Sequence, residues 1–298
     1  MNKTIKGVLN RITKTLLPDD YQKIYLLRSK LYSQFLLANK NSDNINEVIA
    51  ATRFLSPTDV EVKEYPEYKN ILILAPHQDD DIIGCGGTLL KSSKSGSDVH
   101  TIYLTDGASP KMTGKSRTQY INIRNQEAEK VWEKLNGSKP TFMNLPTRQD
   151  IDVNATIIQL RKLIIERNPD CVFVPHFLEL PLDHKRTAYL FAEVLRTTPK
   201  LNIQEVWSYQ VTSMIAPNIG IDITDVEQAK YDLMLLWESQ NKMFNYAHRA
   251  RGLNAANTFY TQYTKSSHTN PYIELFFVTA PKQYIELINS FYENEALF

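Results

Sequence analysis

Asn70-Ile-Leu-Ile-Leu-Ala-Pro-His77-Gln-Asp79-Asp80-Asp81-Ile-Ile-Gly-Cys-Gly-Gly-Thr-Leu89 is the stretch on which the reading of this chain turns. It begins as a short apolar strand, passes through a histidine and three carboxylates, and leaves through a glycine-rich entry into a helix. A buried strand ending this way delivers polar groups to the carboxyl edge of a parallel sheet, where open α/β folds place their sites. Imidazole nitrogen with carboxylate oxygen is a ligand set that zinc accepts readily. An acidic run is more often a solvated loop. Here Asp79 to Asp81 lie between an apolar strand and an apolar helix start, where like charges are costly unless a cation compensates them.

Outward from that stretch, strands and helices alternate, as expected of a parallel sheet covered on both faces. Strands are predicted at 71–74, 99–104, 141–145, 171–174, 205–210 and 272–279. Helices are predicted at 86–95, 117–135, 155–167, 185–197 and 281–292. Thr224-Asp-Val-Glu227 is a capping-box sequence and should open a helix running through Met234 to Gln240. Residues 1–65 read as a helical extension, with Ser56-Pro57-Thr58 and the charged stretch 61–68 as the connection.

Composition narrows the class. The chain has 298 residues, a formal net charge of +1 and 42% hydrophobic residues, which fits a soluble globular enzyme and excludes a charge-driven nucleic-acid binder. Its two cysteines, Cys85 and Cys171, fall in the motif helix and in a predicted buried strand. They read as reduced core residues, which favours a cytoplasmic setting. No run approaches the roughly 20 apolar residues that span a bilayer, and no signal peptide is recognisable. Ile5, Val8, Leu9, Ile12 and Leu16 share one helical face, opposite Lys3, Lys6, Arg11 and Lys14. Residues 1–17 therefore read as a helix packed on the body or on a second copy, with weak adhesion to an anionic membrane as the alternative.

Residues 75–89 resemble the signature of the PIG-L/LmbE-like zinc-dependent de-N-acetylases, A-H-P-D-D-E-x-x-G-x-G-G. His77, Asp79, Asp80 and the glycines at 84, 86 and 87 are in register; Gln78 replaces a proline and Asp81 a glutamate. The resemblance covers about residues 70 to 280 and is tight only at this motif. It implies an α/β fold, a Rossmann-like three-layer sandwich with a mostly parallel sheet, over 66–298. It also implies Zn2+ or another divalent metal, and hydrolysis of the acetamide of an N-acetylated sugar. His77 and Asp80 become metal ligands and Asp79 the general base. The third ligand comes from the family's H-x-D-H motif, matched here by Pro181-Leu-Asp183-His184, so His184 is the expected ligand.

One residue departs. Pro181 stands where the family has a histidine thought to stabilise the oxyanion or protonate the leaving amine, and proline has no donor for either task. His176, at the end of the same predicted strand, is the expected catalytic substitute and His248 a distant second; a hydrogen-bonded structural histidine is the other reading of His176. His100 and His268 read as bystanders. Asp106 in Thr105-Asp106-Gly107, Arg124 in an R-x-x-E pattern with Glu127, and Asp183 are expected to line the substrate pocket. A simple turn at 105–107 and an exposed Arg124–Glu127 ion pair are the plainer alternatives. Two rivals remain open: a catalytically weak carbohydrate-binding protein of the same fold, suggested by Pro181, and a membrane-peripheral component of a glycan assembly complex. A homo-oligomer is open too.

Overall fold

The computed structural model describes residues 60–213, 215–261, 270–292 and 297–298. The basic segment 1–17 and the rest of the predicted extension before residue 60 lie outside them, as does His268.

Among the described residues, eight strands form one sheet in the order β1-β7-β8-β6-β5-β2-β3-β4. They are β1 (Glu61–Lys63), β2 (Asn70–Ala75), β3 (Asp98–Thr105), β4 (Thr141–Leu145), β5 (Cys171–Pro175), β6 (Glu205–Tyr209), β7 (Ile219–Asp222) and β8 (Ile273–Thr279). All pairings are parallel except those of β8, which runs antiparallel to β6 and β7. The helices are α1 (Asp80–Lys94), α2 (Gly114–Leu135), α3 (Val153–Arg167), α4 (Leu182–Thr197), α5 (Glu227–Leu235), α6 (Glu238–Asn241), α7 (Tyr246–Ala256) and α8 (Pro281–Tyr292).

The period-2 geometry of a strand explains why β2 is apolar throughout. Ile71, Ile73 and Ala75 point into one core with residues of α1, α2, α5 and α7. Leu72 and Leu74 point into the other, against α3, α4 and α8. With helices on both faces, a central strand such as β2 has little room for a polar residue.

Several expectations need correction. The charged stretch read as a connector contributes β1, which pairs in parallel with β7. Both strands are short and β7 contains Gly220, so neither carries a strong periodic signal. Helix α1 starts at Asp80 rather than 86; it bends at Cys85 (φ −141°, ψ 15°), and the predicted helix corresponds to the part after the bend. The capping box at 224 does not form. Thr224 instead donates its hydroxyl to Asp222 (2.6 Å), and Glu227 pairs with Arg251. Helix α5 stops at Leu235, and α7 was not anticipated.

Topology positions the site. From β2 the sheet is built outward through β3 and β4 on one side and through β5 and β6 on the other. Strands β2 and β5 therefore lie side by side while their following segments leave toward opposite faces. A crevice opens at the carboxyl ends of such a pair, and His77 follows β2 there as His184 follows β5.

Candidate metal centre and its cleft

Only three residues separate the end of β2 at Ala75 from the residue that caps α1. The short turn throws His77 and Asp80 onto the same edge, with the Asp80 carboxylate accepting from the His77 backbone N–H at 2.9 Å. The same Asp80 oxygen lies 3.0 Å from His77 Nδ1 and 3.3 Å from His184 Nε2. One ligand atom from each of His77, Asp80 and His184 falls within 4.8 Å of the other two.

Each imidazole turns its second nitrogen to another carboxylate. His77 Nε2 is 3.0 Å from Asp183 Oδ2, and His184 Nδ1 is 3.5 Å from Glu179 Oε2. Glu179 is fully buried and held by the backbone N–H groups of Val211, Thr212 and Ser213. Outer carboxylates of this kind fix the ring and tautomer of a metal-binding histidine, leaving the inward nitrogen as donor. Burial alone would raise the Asp80 carboxyl and depress His184. The imidazoles outweigh it and hold Asp80 well below the usual carboxylate range, while Asp80 and Glu179 push His184 up to about 10. The cluster thus attracts positive charge strongly, and two imidazoles with one carboxylate suit a zinc-type ion in place of those protons.

Asp79 stands beside this trio on the wall of a cleft of about 790 Å3, which His77, Asp80 and His184 also line. Burial lifts its carboxyl to about 6, with Arg124 pulling the other way from 3.2 Å. The remaining contacts of the Arg124 guanidinium go to the backbone oxygens of Gln78 (2.8 Å) and Gly107 (3.0 Å). Gly107 is required at this junction. Its φ is +66°, and a Cβ there would come within 2.4 Å of Gln78 Oε1 and 2.5 Å of Arg124 Nη1.

Four expected roles change. His176 is fully buried, stacked on Phe177 (4.3 Å between centroids), and does not line the cleft. Its Nδ1 accepts from the Leu178 N–H at 3.1 Å, and burial drives its pKa down to about 3, the surroundings expected of the hydrogen-bonded structural reading. Asp106 is buried off the cleft, tying Thr147 (2.9 Å) and Arg117 to the end of β3. Asp183 also lies off the cleft, and its second oxygen accepts from the Arg148 N–H at 3.1 Å. Arg124 does face the cleft, but its fork is occupied by Asp79 and the two loops, leaving little for a substrate. Nor do Arg124 and Glu127 pair with each other: both are buried, and Glu127 accepts from the Ser239 N–H and hydroxyl.

The sequence reading missed Glu179, whose one signal was a lone carboxylate in an apolar loop. It also missed the cleft wall contributed by Tyr120, Arg148, Tyr246 and Arg249. Pro181 lines the cleft as the residue preceding α4.

A family model described as GlcNAc-PI de-N-acetylase (PIG-L) matches residues 72–195, the span holding both ligand segments. The diacetylchitobiose deacetylase of Thermococcus kodakarensis is 30% identical over 220 residues, covering 66% of this chain and 79% of that protein. The chain belongs to the PIG-L/LmbE-like de-N-acetylase family. It is thus an enzyme of the deacetylase hydrolase class. Among solved structures, the N,N'-diacetylchitobiose deacetylase from Pyrococcus horikoshii aligns with a TM-score of 0.60 at 22% identity, over 90% of this chain and 96% of that one. The 4-carboxy-2-hydroxymuconate hydratase GalB from Pseudomonas putida KT2440 aligns at 0.57 and 18% identity, over 71% and 96%. At these identities the likeness is one of fold. A hydratase among the neighbours of this deacetylase-family chain illustrates that the scaffold alone does not fix the reaction.

Proposed function

We propose that the chain hydrolyses the acetamide of an N-acetylated sugar, giving acetate and a free amine, with a zinc ion held by His77, Asp80 and His184. The observation that carries this reading is the convergence of those three ligand atoms beside Asp79 on one open cleft. When bound, the ion supplies Lewis-acid polarisation of the amide carbonyl and acidifies the attacking water. Asp79 takes the proton of that water and afterwards returns it to the departing nitrogen. Arg124 holds Asp79 in position for both transfers, and Asp183 and Glu179 keep the two imidazoles turned inward.

The activities of two relatives support the sugar acetamide as substrate class: both the Thermococcus protein and the Pyrococcus structure are deacetylases of diacetylchitobiose. A binding protein of the same fold is a second reading, favoured by one observation. Pro181 occupies the cleft position of the expected donor, and loss of one oxyanion donor costs about 10²–10³ in rate. Acetate release from a panel of N-acetylhexosamine compounds separates the two. Zinc-loaded protein is expected to turn over, and Asp79→Asn to lose turnover while keeping its metal. Retained metal without turnover on any glycan or nucleotide-linked substrate would favour the binding protein. We further read the setting as cytoplasmic; vesicle flotation with and without residues 1–17 tests the alternative that this segment adheres to an anionic membrane.

A further inference from the structure

One hydrogen-bonded chain on the cleft wall has no part in the mechanism above, and it ends on two residues of the cavity lining. It starts at Glu127 of α2, a buried carboxylate whose oxygens accept from the N–H (2.8 Å) and the hydroxyl (2.6 Å) of Ser239 in α6. From there Gln240 Nε2 donates to Ser239 Oγ (3.2 Å) and to the Tyr120 hydroxyl oxygen (2.7 Å). Gln240 is only 5% exposed, yet it and Tyr120 line the cleft that His77, Asp79, Asp80 and His184 share.

Counting protons along this chain fixes its polarity. Ser239 gives its hydroxyl proton to Glu127, so its oxygen can only accept, and the Gln240 atom facing it is the amide nitrogen. The same nitrogen faces Tyr120, so the phenol oxygen accepts and the phenol proton is left to donate. At the other end of the amide, Gln240 Oε1 is left to accept. Among the described residues, nothing accepts from the Tyr120 hydroxyl and nothing donates to Gln240 Oε1. The cleft therefore presents one donor and one acceptor, joined through a single amide and anchored on a buried carboxylate.

Their place on the wall matters. Tyr120 and Arg124 are four residues apart on α2 and share a face, about 5–6 Å from one another at their Cβ atoms. Arg124 touches Asp79 at 3.2 Å, so the donor stands about one helical turn from the proposed base. Met243 and Phe244, just beyond α6, add apolar surface to the same cleft. A pyranose ring matches such a wall, with hydroxyls at its edge that each give one proton and accept another, and carbon–hydrogen faces beside them.

We propose that Tyr120 and Gln240 are the hydroxyl-reading pair of this cleft: Tyr120 donates to one hydroxyl of the acetamido sugar, and Gln240 Oε1 accepts from the hydroxyl next to it. On an N-acetylhexosamine ring the adjacent hydroxyls are those on carbons 3 and 4. The proposal rests on the sugar-acetamide reading of the site and names the side chains that select the sugar within it. Neither touches the reacting atoms, so losing either raises KM more than it lowers kcat.

The experiment is calorimetric titration of the full-length, zinc-loaded protein with N-acetylglucosamine and its 3-deoxy and 4-deoxy analogues. The parent, Tyr120→Phe and Gln240→Leu are compared, with zinc content and circular dichroism recorded for each. The parent is expected to bind each deoxy sugar about three- to tenfold more weakly than N-acetylglucosamine. Tyr120→Phe is expected to lose about the same factor on N-acetylglucosamine, and nothing further on the deoxy sugar that lacks its partner hydroxyl. Gln240→Leu should lose more, because it deletes the acceptor and also releases Tyr120. An equal loss in Tyr120→Phe on all three sugars would assign the hydroxyl a structural role and overturn the proposal. Unchanged affinity in that variant would overturn it too, as would a parent that binds the three sugars alike or binds none of them. Acetate release measured alongside separates the pair from the reading beneath it. Turnover with an unchanged KM in Tyr120→Phe sinks the pair alone, whereas Tyr120-dependent binding with no acetate released sustains the pair and refutes the deacetylase.

Discussion

Asp79 owes its position to one guanidinium. The Arg124–Asp79 contact at 3.2 Å is backed by two backbone carbonyls, so replacing Arg124 frees both the carboxylate and the loop that carries it. Arg124→Gln is expected to lower kcat on the order of 10²-fold with metal content unchanged, since displacement of a reacting group by about an ångström costs that much. Steady-state acetate release on metal-assayed protein checks it. Asp183→Asn addresses the other side. The amide can no longer serve as the negative acceptor of His77 Nε2, and zinc affinity is expected to fall about 10- to 100-fold in a chelator competition titration. Of these residues, that His77, Asp79, Asp80 and His184 gather on one cleft was legible in the sequence, because each follows a strand of the same sheet edge. Where Asp106, Asp183 and His176 lie could not be read, because an acid or an imidazole at a strand end looks alike whether it faces a cleft, a neighbouring loop or the core.

Elements were read where a period had room to repeat. The predicted strands correspond to β2–β6 and β8, and α2, α3, α4 and α8 follow from long apolar stripes. The short strands β1 and β7 were missed, and local capping chemistry at Thr224 misled because its hydroxyl oxygen accepts from the Tyr272 N–H (3.0 Å) while its own N–H goes to Asp222 (2.9 Å). The junctions between elements are where single atoms decide. Gly107→Ala places a Cβ against Gln78 and Arg124 in a left-handed backbone, a conformation costing about 1–2 kcal/mol for an L side chain. Chemical denaturation should show at least that loss, with activity falling further because Arg124 must move. Between α1, α5 and β8, Lys230 donates to Glu274 at 2.7 Å, and Glu274 in turn accepts from Gly87 and Thr88 at the start of the straight part of α1. Both side chains are buried. Lys230→Met should cost on the order of 3–5 kcal/mol by leaving that carboxylate uncompensated, and Lys230→Met with Glu274→Gln should recover part of it. A double variant no more stable than the single one would mean that packing, not charge, holds this corner.

At the scale of the molecule, two buried histidines set a limit in acid. Burial holds His176 near 3 and, with Arg167, His100 near 4, both below the ordinary histidine value. An unfolded chain takes up these protons first as pH falls below about 6.5, so the folded state loses stability from there downward and keeps all of it above. His176 alone should contribute a loss of about 2–3 kcal/mol between pH 7.5 and 4.5. Urea unfolding at the two pH values should show a smaller acid penalty in His176→Leu than in the parent, although the variant starts lower for lack of the Leu178 contact. Equal pH slopes for the two proteins would assign the acid sensitivity elsewhere.

The adjacency of β2 and β5 also bears on the order in which the protein acquires its parts during synthesis. His77 and Asp183 are 106 positions apart, and β5 is the strand that closes the open side of β2. A ribosome that has released β2, β3 and β4 presents a three-stranded half-sheet whose β2 edge is apolar and unpaired until residues 171–175 emerge. That interval is the nascent chain's window for mispairing with another copy. It is also a span in which no zinc can be captured at full strength, because His184, one of the three ligands, is still unwritten.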